Sequence, residues 1–411
     1  MRCGLLGRTL GHSFSREIHE KLGRYSYELI EVPPEGLDAF LTARDFDGFN
    51  VTIPYKQAVI PYLDGLSDRA RAIGAVNTVV RRGGKLYGDN TDFGGLEALI
   101  RRMGLELKGK TVLIAGTGGT SQTAKAVAES LGAARSMRLS RSGRGGAMTY
   151  EEACASCAGA EILINTTPAG MYPDVDGVAV DLSRLPRLEG VVDVVYNPLT
   201  TRLVRQARAR GIPADNGLYM LVAQAVLAAE AFTGERFGGE LTDRIWRELL
   251  SEKRNIVLTG MPGSGKSTLG KLLAQQLTRP LVDIDEEIVC RAGMPITEIF
   301  RARGEGAFRE LESAIIREVS LTGGKIIATG GGAVLRRENV DNLKMNGVCV
   351  FLDRPLEELL PSAERPLADE AGKLRELYAR RYPLYTAAAD VAVRVSGTPE
   401  HTARVLLEAL K

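Results

Sequence analysis

A short apolar run that leads into a glycine-rich turn and then into a helical pattern occurs twice in this sequence. The first copy is TVLIAGTGGTSQTAKAVAESLGA at Thr111–Ala133, and the second is NIVLTGMPGSGKSTLGKLLAQQL at Asn255–Leu277. In each copy the β-branched apolar residues predict a buried strand, and the start of the following helix presents backbone N–H groups that can bind a phosphate. The chain is therefore expected to contain two nucleotide-type sites.

Charge and hydropathy exclude two classes of partner. Lys and Arg total 53 and Asp and Glu total 51, so the net charge of +2 gives no global field that would attract a nucleic acid. The most apolar stretch, Gly217–Phe232, contains Gln224 and Glu230 and is too short to cross a bilayer comfortably. We expect no nucleic-acid partner and no membrane association.

The cysteines and the N-terminus indicate the compartment. The five cysteines are scattered, and the C-x-x-C of Cys154 and Cys157 has no second pair or nearby histidine, so we interpret it as chemically inert. The first twenty residues lack the apolar core and cleavage site of a secretory signal. These features predict a cytoplasmic protein.

The second glycine loop has the full G-x-x-x-x-G-K-S pattern, directly after a predicted strand and at the start of a helix. In this pattern Lys266 neutralises phosphate oxygens and the Ser267 hydroxyl binds Mg²⁺. A purely structural loop would not need Lys and Ser at these offsets. The predicted ATP-binding residues are Gly263, Ser264, Gly265, Lys266, Ser267 and Thr268.

Two carboxylates follow at the end of the next predicted strand. Asp283 and Asp285 are two residues apart, so both can point toward the phosphate loop. One can hold Mg²⁺ while the other orients or deprotonates an acceptor hydroxyl, although an acidic helix cap is the alternative interpretation. Further along, the chain contains GEGAFRELE with Arg309, ATGGGAV with Gly330, Gly331 and Gly332, AERPLAD with Arg365, and RRYPLY with Arg381.

In this order the motifs resemble shikimate kinase, a P-loop kinase of the nucleoside-monophosphate-kinase type, from about residue 254 to 411. The resemblance implies that Lys266, Asp285 and Arg365 are catalytic, that Arg365 closes over the ATP phosphates from a lid, and that Glu312 supports Arg309. It also implies that Ser267 and Asp283 place Mg²⁺. The implied shikimate-binding residues are Asp285, Arg309, Gly330, Gly331, Gly332 and Arg381.

One departure from the kinase family lies in the segment LEELLPSAERPL. The family has an arginine near adenine a few residues after the apolar strand, whereas this segment is short and contains Pro361 and Ser362. The contacts to the adenine are therefore left open by the sequence.

The first glycine loop lacks the third glycine of G-x-G-x-x-G. About one strand later, Ser140 and Arg141 stand where an NAD-binding protein has a carboxylate for the ribose. Because arginine can bind a 2′-phosphate, this favours NADP, and a basic surface loop is the alternative. The predicted residues of the loop are Gly116, Thr117, Gly118, Gly119, Thr120 and Ser121.

Polar residues cluster upstream in the segments GHSFS, FNVTIPYK, GAVNT and GDNTDFGG. Reduction of a ketone needs a proton donor beside the hydride donor, and a lysine paired with an aspartate can fill this role. Lys56 and Asp92 are the candidates. The other polar residues singled out here are Ser13, Ser15, Thr52 and Asn77.

Together these segments resemble shikimate dehydrogenase from residue 1 to about 234, including VVYNPLTTRLV and DNGLYMLVAQA. The resemblance implies that Lys56 and Asp92 are the catalytic pair and that Gly217 joins the glycine loop, Ser140 and Arg141 at NADP. Two departures are Arg16, where the family has proline, and Tyr219, where glycine is common. The residues implied to surround 3-dehydroshikimate or shikimate are Ser13, Ser15, Thr52, Lys56, Asn77, Asp92, Tyr196 and Gln224.

The two resemblances imply consecutive reactions, because the product of the first is the substrate of the second. NADPH-dependent reduction of 3-dehydroshikimate would give shikimate, and ATP with Mg²⁺ would then convert shikimate to shikimate 3-phosphate. Three alternatives stay open: a silent N-terminal half that only binds shikimate, an NAD-dependent quinate or shikimate oxidiser, and a C-terminal half that binds ATP only as a regulatory switch.

The expected fold is α/β throughout: a substrate domain and a Rossmann NADP domain, followed by a P-loop kinase domain. The small-molecule substrates are the expected partners, and the sequence leaves open whether the chain forms a homodimer. The predicted boundaries are a substrate domain at 1–100 completed by 213–240, a Rossmann domain at 101–212, a linker at 241–252 and a kinase domain at 253–411.

Overall fold

The computed structural model describes residues 1–11, 13–143, 146–157, 159–359 and 371–410. The chain divides into two compact units, Met1–Leu250 and Ser251–Lys411. The predicted linker at 241–252 lies within a helix, Gly239–Lys253, whose Ile245 and Leu249 are buried in the core of the first unit. Because its apolar face is covered in this way, the stretch up to Leu250 is part of the first unit.

The first sheet of the first unit is mixed, and its described strands have the order β2-β1-β3-β5-β6-β4. Strands β1, β2 and β3 are parallel, β5 is antiparallel to β3, and β6 is antiparallel to β5. The ends of β1, β3 and β6 and the start of β5 therefore lie at one edge of the sheet. The strands are β1 (Arg2–Gly7), β2 (Ser26–Glu31), β3 (Gly48–Val51), β4 (Gly65–Leu66), β5 (Thr78–Arg82) and β6 (Lys85–Asp89), and the helices are α1 (Ser15–Leu22), α2 (Leu37–Ala43), α3 (Asp68–Ile73) and α4 (Thr91–Arg102).

The second sheet of this unit is parallel wherever it is described, with the order β12-β11-β10-β7-β8-β9. Counted from β7, this is the 3-2-1-4-5-6 order of a doubly wound nucleotide-binding sheet. Its central strands are almost continuously apolar because helices cover both faces. The elements are β7 (Thr111–Ala115), α5 (Gly119–Ser130), β8 (Arg135–Ser140), β9 (Met148–Thr149), α6 (Tyr150–Ser156), β10 (Ile162–Asn165), β11 (Gly190–Asp193), α7 (Arg202–Ala209) and β12 (Ala214–Asp215).

After this sheet the chain forms α8 (Leu218–Thr233), which packs against α4, and then α9 (Gly239–Lys253). The α4–α8 contact is close because α4 carries glycines where it meets α8. A Cβ atom at Gly95 would lie 2.7 Å from the backbone oxygen of Met220 and 2.9 Å from Cβ of Gln224. This packing holds the start of α4 near Gln224.

The second unit is built on a parallel sheet with the order β14-β15-β13-β16-β17 among its described strands. Apolar clusters cover both faces, which explains the fully buried NIVLT strand β13. The elements are β13 (Asn255–Thr259), α10 (Lys266–Leu277), β14 (Leu281–Asp283), α11 (Ile284–Ala292), α12 (Ile296–Ser320), β15 (Ile326–Ala328), α13 (Arg337–Asn346), β16 (Gly347–Asp353), α14 (Ala371–Ala388), β17 (Val391–Arg394) and α15 (Pro399–Ala409).

The predicted α/β class is confirmed in both units. Of the helices in the described ranges, none combines the length and apolar character needed to cross a membrane.

Candidate active sites

Lys56 and Asp92 meet at the polar edge of the first sheet. Lys56 Nζ donates a hydrogen bond of 2.5 Å to Asp92 Oδ2, and the two side chains are only 17% and 10% exposed. Asp92 lies in the first turn of α4, where Asn90 caps the helix by accepting from the N–H of Phe93. Asp92 is therefore fixed at a capped helix start, and the pair is largely shielded from water.

Asn77 and Gln224 come together beside this pair through Thr91. The Thr91 N–H donates to Asn77 Oδ1 at 2.7 Å, and Asn77 Nδ2 donates to Thr91 Oγ1 at 3.0 Å and to Gln224 Oε1 at 3.4 Å. All three side chains are buried. Such a set can present amide groups to the hydroxyls of a polyhydroxylated ligand.

Ser13, Ser15 and Tyr196 form a second polar group in this unit. Ser13 Oγ donates to Ser15 Oγ at 3.1 Å, and the rings of Phe14 and Tyr196 lie 5.2 Å apart. Burial raises the pKa of Tyr196, so this phenol stays protonated and can donate a hydrogen bond. Thr52 follows β3 at the same edge, where its N–H donates to the carbonyl of Leu6.

The first glycine loop lies next to Lys56. Gly116 has a φ of +123°, and a Cβ atom there would lie 2.4 Å from Thr166 Oγ1, so only glycine fits. Gly118 precedes α5 with no atom within 4 Å of its Cβ position, and the Cβ position of Gly119 is 3.9 Å from Lys56 Cδ. The start of α5 is thus open to a pyrophosphate beside the lysine. Thr117 is exposed and Thr120 is half-buried.

The end of β8 fits the 2′-phosphate of NADP. Ser140 Oγ is buried without a hydrogen-bond partner among the described residues, and Arg141 directly after it is exposed. A hydroxyl that lacks a partner and an arginine are suitable donors for a phosphate, and no carboxylate follows them at 142 or 143. These residues fit NADP.

Two residues assigned to NADP have clear structural roles. Ser121 Oγ donates to the carbonyl of Gly118 at 2.6 Å and so stabilises the loop. A Cβ atom at Gly217 would lie 2.1 Å from the backbone oxygen of Val194, so glycine there allows the start of α8 to approach the segment after β11.

A buried carboxylate that the sequence analysis did not single out lies at the end of β11, in the second sheet. Asp193 accepts hydrogen bonds from Asn165 Nδ2 at 2.9 Å, from the Val195 N–H at 3.1 Å and from Thr201 Oγ1 at 2.6 Å. Burial raises the pKa of Asp193 to about 6. These hydrogen bonds anchor the segment that carries Tyr196. In the sequence, the aspartate at the end of the apolar run VVD is the feature that indicates this buried carboxylate.

In the second unit, the phosphate loop connects β13 to α10. Gly260, Gly263 and Gly265 all have positive φ values, and Gly265 directly precedes α10. Lys266 Nζ is buried and donates to the carbonyls of Gly260 and Met261 at 2.9 and 3.0 Å. Buried Ser264 and exposed Ser267 and Thr268 complete a loop whose N–H groups can bind phosphates.

The predicted magnesium residues are in direct contact. Ser267 Oγ donates to Asp283 Oδ2 at 2.6 Å, and Asp283 Oδ1 accepts from the N–H of Asp285 at 3.1 Å. A hydroxyl and a carboxylate are the oxygen ligands that Mg²⁺ prefers, so this pair fits the ion. In the described ranges no cluster of three or more His, Cys, Asp or Glu side chains forms a separate metal site.

Arg309 lies between two glutamates and the glycine-rich loop after β15. Its Nη1 donates to Glu312 Oε2 at 2.7 Å, and its Nε and Nη2 donate to Glu305 Oε1 at 3.3 and 3.0 Å. Glu312 is fully buried, and burial raises the pKa of its carboxyl against the opposing effect of Arg309. A Cβ atom at Gly332 would lie 2.1 Å from Arg309 Nη1, so the guanidinium fills the space above this glycine.

Arg381 completes this group from α14. Its Nη1 donates to the carbonyl of Gly331 at 3.0 Å, whereas its buried Nε and Nη2 have no hydrogen-bond partner among the described residues. Burial lowers the pKa of Arg381, with Arg309 adding to the effect. A Cβ atom at Gly330 would meet Asp285 Oδ1 at 2.6 Å, so Asp285 lies against the same loop. Arg365 lies outside the described residues.

Comparison with known families gives a match in each unit. The model of the shikimate dehydrogenase substrate binding domain matches residues 5–79, and the model of shikimate kinase matches residues 262–411. The chain is 35% identical over 263 residues to the shikimate dehydrogenase (NADP(+)) of Clostridium perfringens, covering 60% of this chain and 97% of that protein.

The solved structures similar to the N-terminal part include the following two. A chorismate mutase/shikimate 5-dehydrogenase fusion protein from Clostridium acetobutylicum has a TM-score of 0.58 and 32% identity, covering 61% of this chain and 97% of that chain. Shikimate 5-dehydrogenase from Thermus thermophilus in complex with NADP(H) and shikimate has a TM-score of 0.54 and 32% identity, covering 60% of this chain and 99% of that chain.

Proposed function

Because the chain belongs to the shikimate dehydrogenase family and carries a shikimate kinase domain at residues 262–411, we propose that it catalyses two consecutive reactions. The first unit reduces 3-dehydroshikimate to shikimate with NADPH, and the second phosphorylates shikimate to shikimate 3-phosphate with ATP. The proposal is supported by the residues that each unit brings together for its reaction. The first unit has the Lys56–Asp92 pair beside a glycine loop. The second unit has Lys266, Asp285 and two buried arginines.

In the dehydrogenase site, the residues of the chain hold the ketone and supply the proton. NADPH, when bound at the start of α5, supplies the hydride. The Lys56 ammonium donates a hydrogen bond to the ketone oxygen and transfers a proton to it as the carbon is reduced. Asp92 fixes Nζ in place, and Asn77 and Gln224 orient the ring through its hydroxyls. Because the pair is largely buried, its electrostatic effect is stronger than it would be in water.

In the kinase site, Arg309 and Arg381 bind the carboxylate of shikimate, and the unpartnered donors of Arg381 provide the direct contact. Asp285 orients the acceptor hydroxyl and accepts its proton. Lys266 stabilises the phosphoryl oxygens as the bond to ADP breaks and the bond to the hydroxyl oxygen forms. Ser267 and Asp283 would hold Mg²⁺, which neutralises phosphate charge when it is bound.

The two activities can be separated by one substitution in each unit. Lys56→Met should abolish NADPH oxidation with 3-dehydroshikimate and leave phosphorylation of shikimate intact, and Lys266→Met should do the reverse. Each variant is therefore the folding control for the other. Absence of NADPH oxidation in the unmodified chain would favour a silent first unit, and ATP hydrolysis that does not depend on shikimate would favour a nucleotide switch.

We also place the enzyme in the cytoplasm, since the described cysteines Cys3, Cys157, Cys290 and Cys349 are free thiols.

Neither proposed site draws a named residue from a second chain. The same activities are therefore proposed for a single chain and for a homodimer.

A further inference from the structure

Asn90, in the segment GDNTDFGG, has a fully buried side chain whose hydrogen bonds extend beyond its role as a helix cap. Its Oδ1 accepts from the N–H of Phe93 at 3.2 Å, and its Nδ2 donates to the carbonyl of Ala75 at 2.9 Å and to Thr123 Oγ1 at 3.4 Å. Because a backbone N–H can only donate and a carbonyl can only accept, these partners fix the orientation of the amide. Both N–H groups of the side chain are therefore used within the protein.

The contact with Ala75 connects Asn90 to the lysine of the dehydrogenase site. Directly after Ala75, the N–H of Val76 donates to the backbone carbonyl of Lys56 at 2.8 Å. The Cβ position of Gly119, in the first glycine loop, lies 3.6 Å from Ala75 Cβ and 3.9 Å from Lys56 Cδ. A shift of the Ala75 segment would therefore move the backbone of Lys56 and change its contact with the glycine loop.

The other two contacts connect Asn90 to Asp92 and to the helix that follows the first glycine loop. By accepting from Phe93, Asn90 caps the first turn of α4, which carries Asp92. Thr123 lies in α5, where its hydroxyl accepts from Asn90 and donates to the carbonyl of Gly119 at 3.2 Å. One amide thus contacts the segment that holds the lysine, the helix that carries the aspartate and the helix that begins at the glycine loop.

We propose that Asn90 is a positioning residue of the dehydrogenase reaction, which keeps the Lys56–Asp92 pair at a fixed distance from the first glycine loop. The inference rests on the proposed function of the first unit. Proton transfer to the ketone oxygen and hydride transfer to the ketone carbon need one common geometry, and a misplacement of about 1 Å can reduce a rate about 100-fold. Because its side chain has no exposed surface, Asn90 acts on the substrate only through these neighbours.

The test compares Asn90→Ser with the unmodified chain in the reduction of 3-dehydroshikimate by NADPH. Serine caps helices about as well as asparagine, so this variant keeps the cap and loses the amide donors to Ala75 and Thr123. We expect kcat to fall by about 10- to 100-fold, because the reacting groups lose their alignment. The KM for each substrate and the dissociation constants of NADP and shikimate should stay within about threefold, since no ligand contact is removed. The kinase rate of the same samples should not change.

A second variant isolates the contact with the cofactor helix. Thr123→Val removes the hydroxyl with little change in shape, and we expect kcat to fall by about 2- to 10-fold, as for the loss of one hydrogen bond. Combined with Asn90→Ser, its effect should be smaller than the product of the two separate effects, because both variants break the same contact.

The matched control is Asp181→Ala. Asp181 also caps a helical turn of the first unit, Leu182–Arg184, by accepting from the N–H of Ser183, and it belongs to neither proposed site. Its kcat should equal that of the unmodified chain even where the melting temperature falls, so that a loss of stability is separated from a loss of alignment.

Three results would overturn the proposal. The first is an unchanged kcat in folded Asn90→Ser, and the second is a loss confined to KM or to ligand affinity. The third applies where Asn90→Ser does not fold, and it is an unchanged kcat in Thr123→Val. Absence of NADPH oxidation in both the unmodified chain and Asp181→Ala would instead overturn the proposed dehydrogenase function, and this inference with it.

Discussion

Substituting Gly332 by alanine tests how the kinase site uses Arg309. Gly332 has a φ of −101°, so alanine adds no backbone strain, and the effect comes only from the added methyl group. That methyl carbon would lie 2.1 Å from Arg309 Nη1 and 2.4 Å from Cζ and Nη2. Since these distances are far below van der Waals contact, the guanidinium has to move away from the loop.

The cost of this movement follows from what Arg309 contacts. A displaced guanidinium loses its geometry toward the carboxylate of shikimate, and a hydrogen bond to a charged group contributes about 1.5 to 3 kcal/mol. This corresponds to a decrease in kcat/KM for shikimate of about 10- to 150-fold. The dehydrogenase reaction of the same chain should be unaffected, because Gly332 belongs to the second unit.

The assay is the rate of ADP formation at varied shikimate and saturating ATP. Gly306→Ala is the matched control, because Gly306 lies in the same helix as Arg309 and no atom is within 4 Å of its Cβ position. We expect its kcat/KM to remain within about twofold of the unmodified value, since an unobstructed surface substitution has little effect. A Gly332→Ala variant with the same kcat/KM as the unmodified chain would refute the assignment of Arg309 to the substrate carboxylate.

Three further predictions concern the first unit. Asp92→Asn should lower kcat for 3-dehydroshikimate by about 100-fold without changing the kinase rate, because Lys56 loses its anionic partner; an unchanged kcat would remove Asp92 from the mechanism. Arg141→Ala should raise the KM for NADPH by about 10-fold and leave that for NADH unchanged, as measured by steady-state kinetics, and an equal effect on both cofactors would contradict the 2′-phosphate contact. Burial lowers the pKa of His19 to about 3. The unfolded chain therefore binds a proton at this residue more tightly than the folded chain does, because the unfolded pKa is about 6.5. As the pH falls below about 6.5, the stability that neutral His19 contributes is lost. Between pH 7 and pH 5 this loss of unfolding free energy is about 2 kcal/mol. It should be absent in His19→Phe, because phenylalanine can keep the stacking on Tyr27. Urea unfolding followed by the fluorescence of Trp246 measures the free energy at each pH, and equal pH sensitivity in both proteins would show that His19 is not the cause.

The strands and glycine loops could be predicted because their signals are local. TVLIA and NIVLT are apolar runs followed by glycines, and both form central parallel strands that are covered on both faces. The Lys266–Ser267 pattern likewise depends on spacing within one loop. Local residue patterns of this kind need no knowledge of distant contacts.

The residues that hold the site side chains in place could not be predicted, because they come from segments far apart in the chain. Asp193 receives donors from Asn165 and Thr201, and Glu305 binds Arg309 just after the kink at Gly304, where φ is +78°. Gly217 was assigned to NADP as part of a family motif, yet its lack of a side chain is required by the backbone of Val194. Such requirements are set by tertiary packing, and a single sequence does not display them.

The most direct test of the two-reaction account is one assay mixture that contains the full chain, 3-dehydroshikimate, NADPH, ATP and Mg²⁺, with NADPH oxidation and ADP formation followed separately. We predict that ADP appears only after NADPH oxidation begins, and that the final amounts of NADP and ADP are equal. Without NADPH, no ADP should form until shikimate is added. If NADPH is not consumed, or if ADP forms from 3-dehydroshikimate without NADPH, the proposed order of the two reactions is wrong.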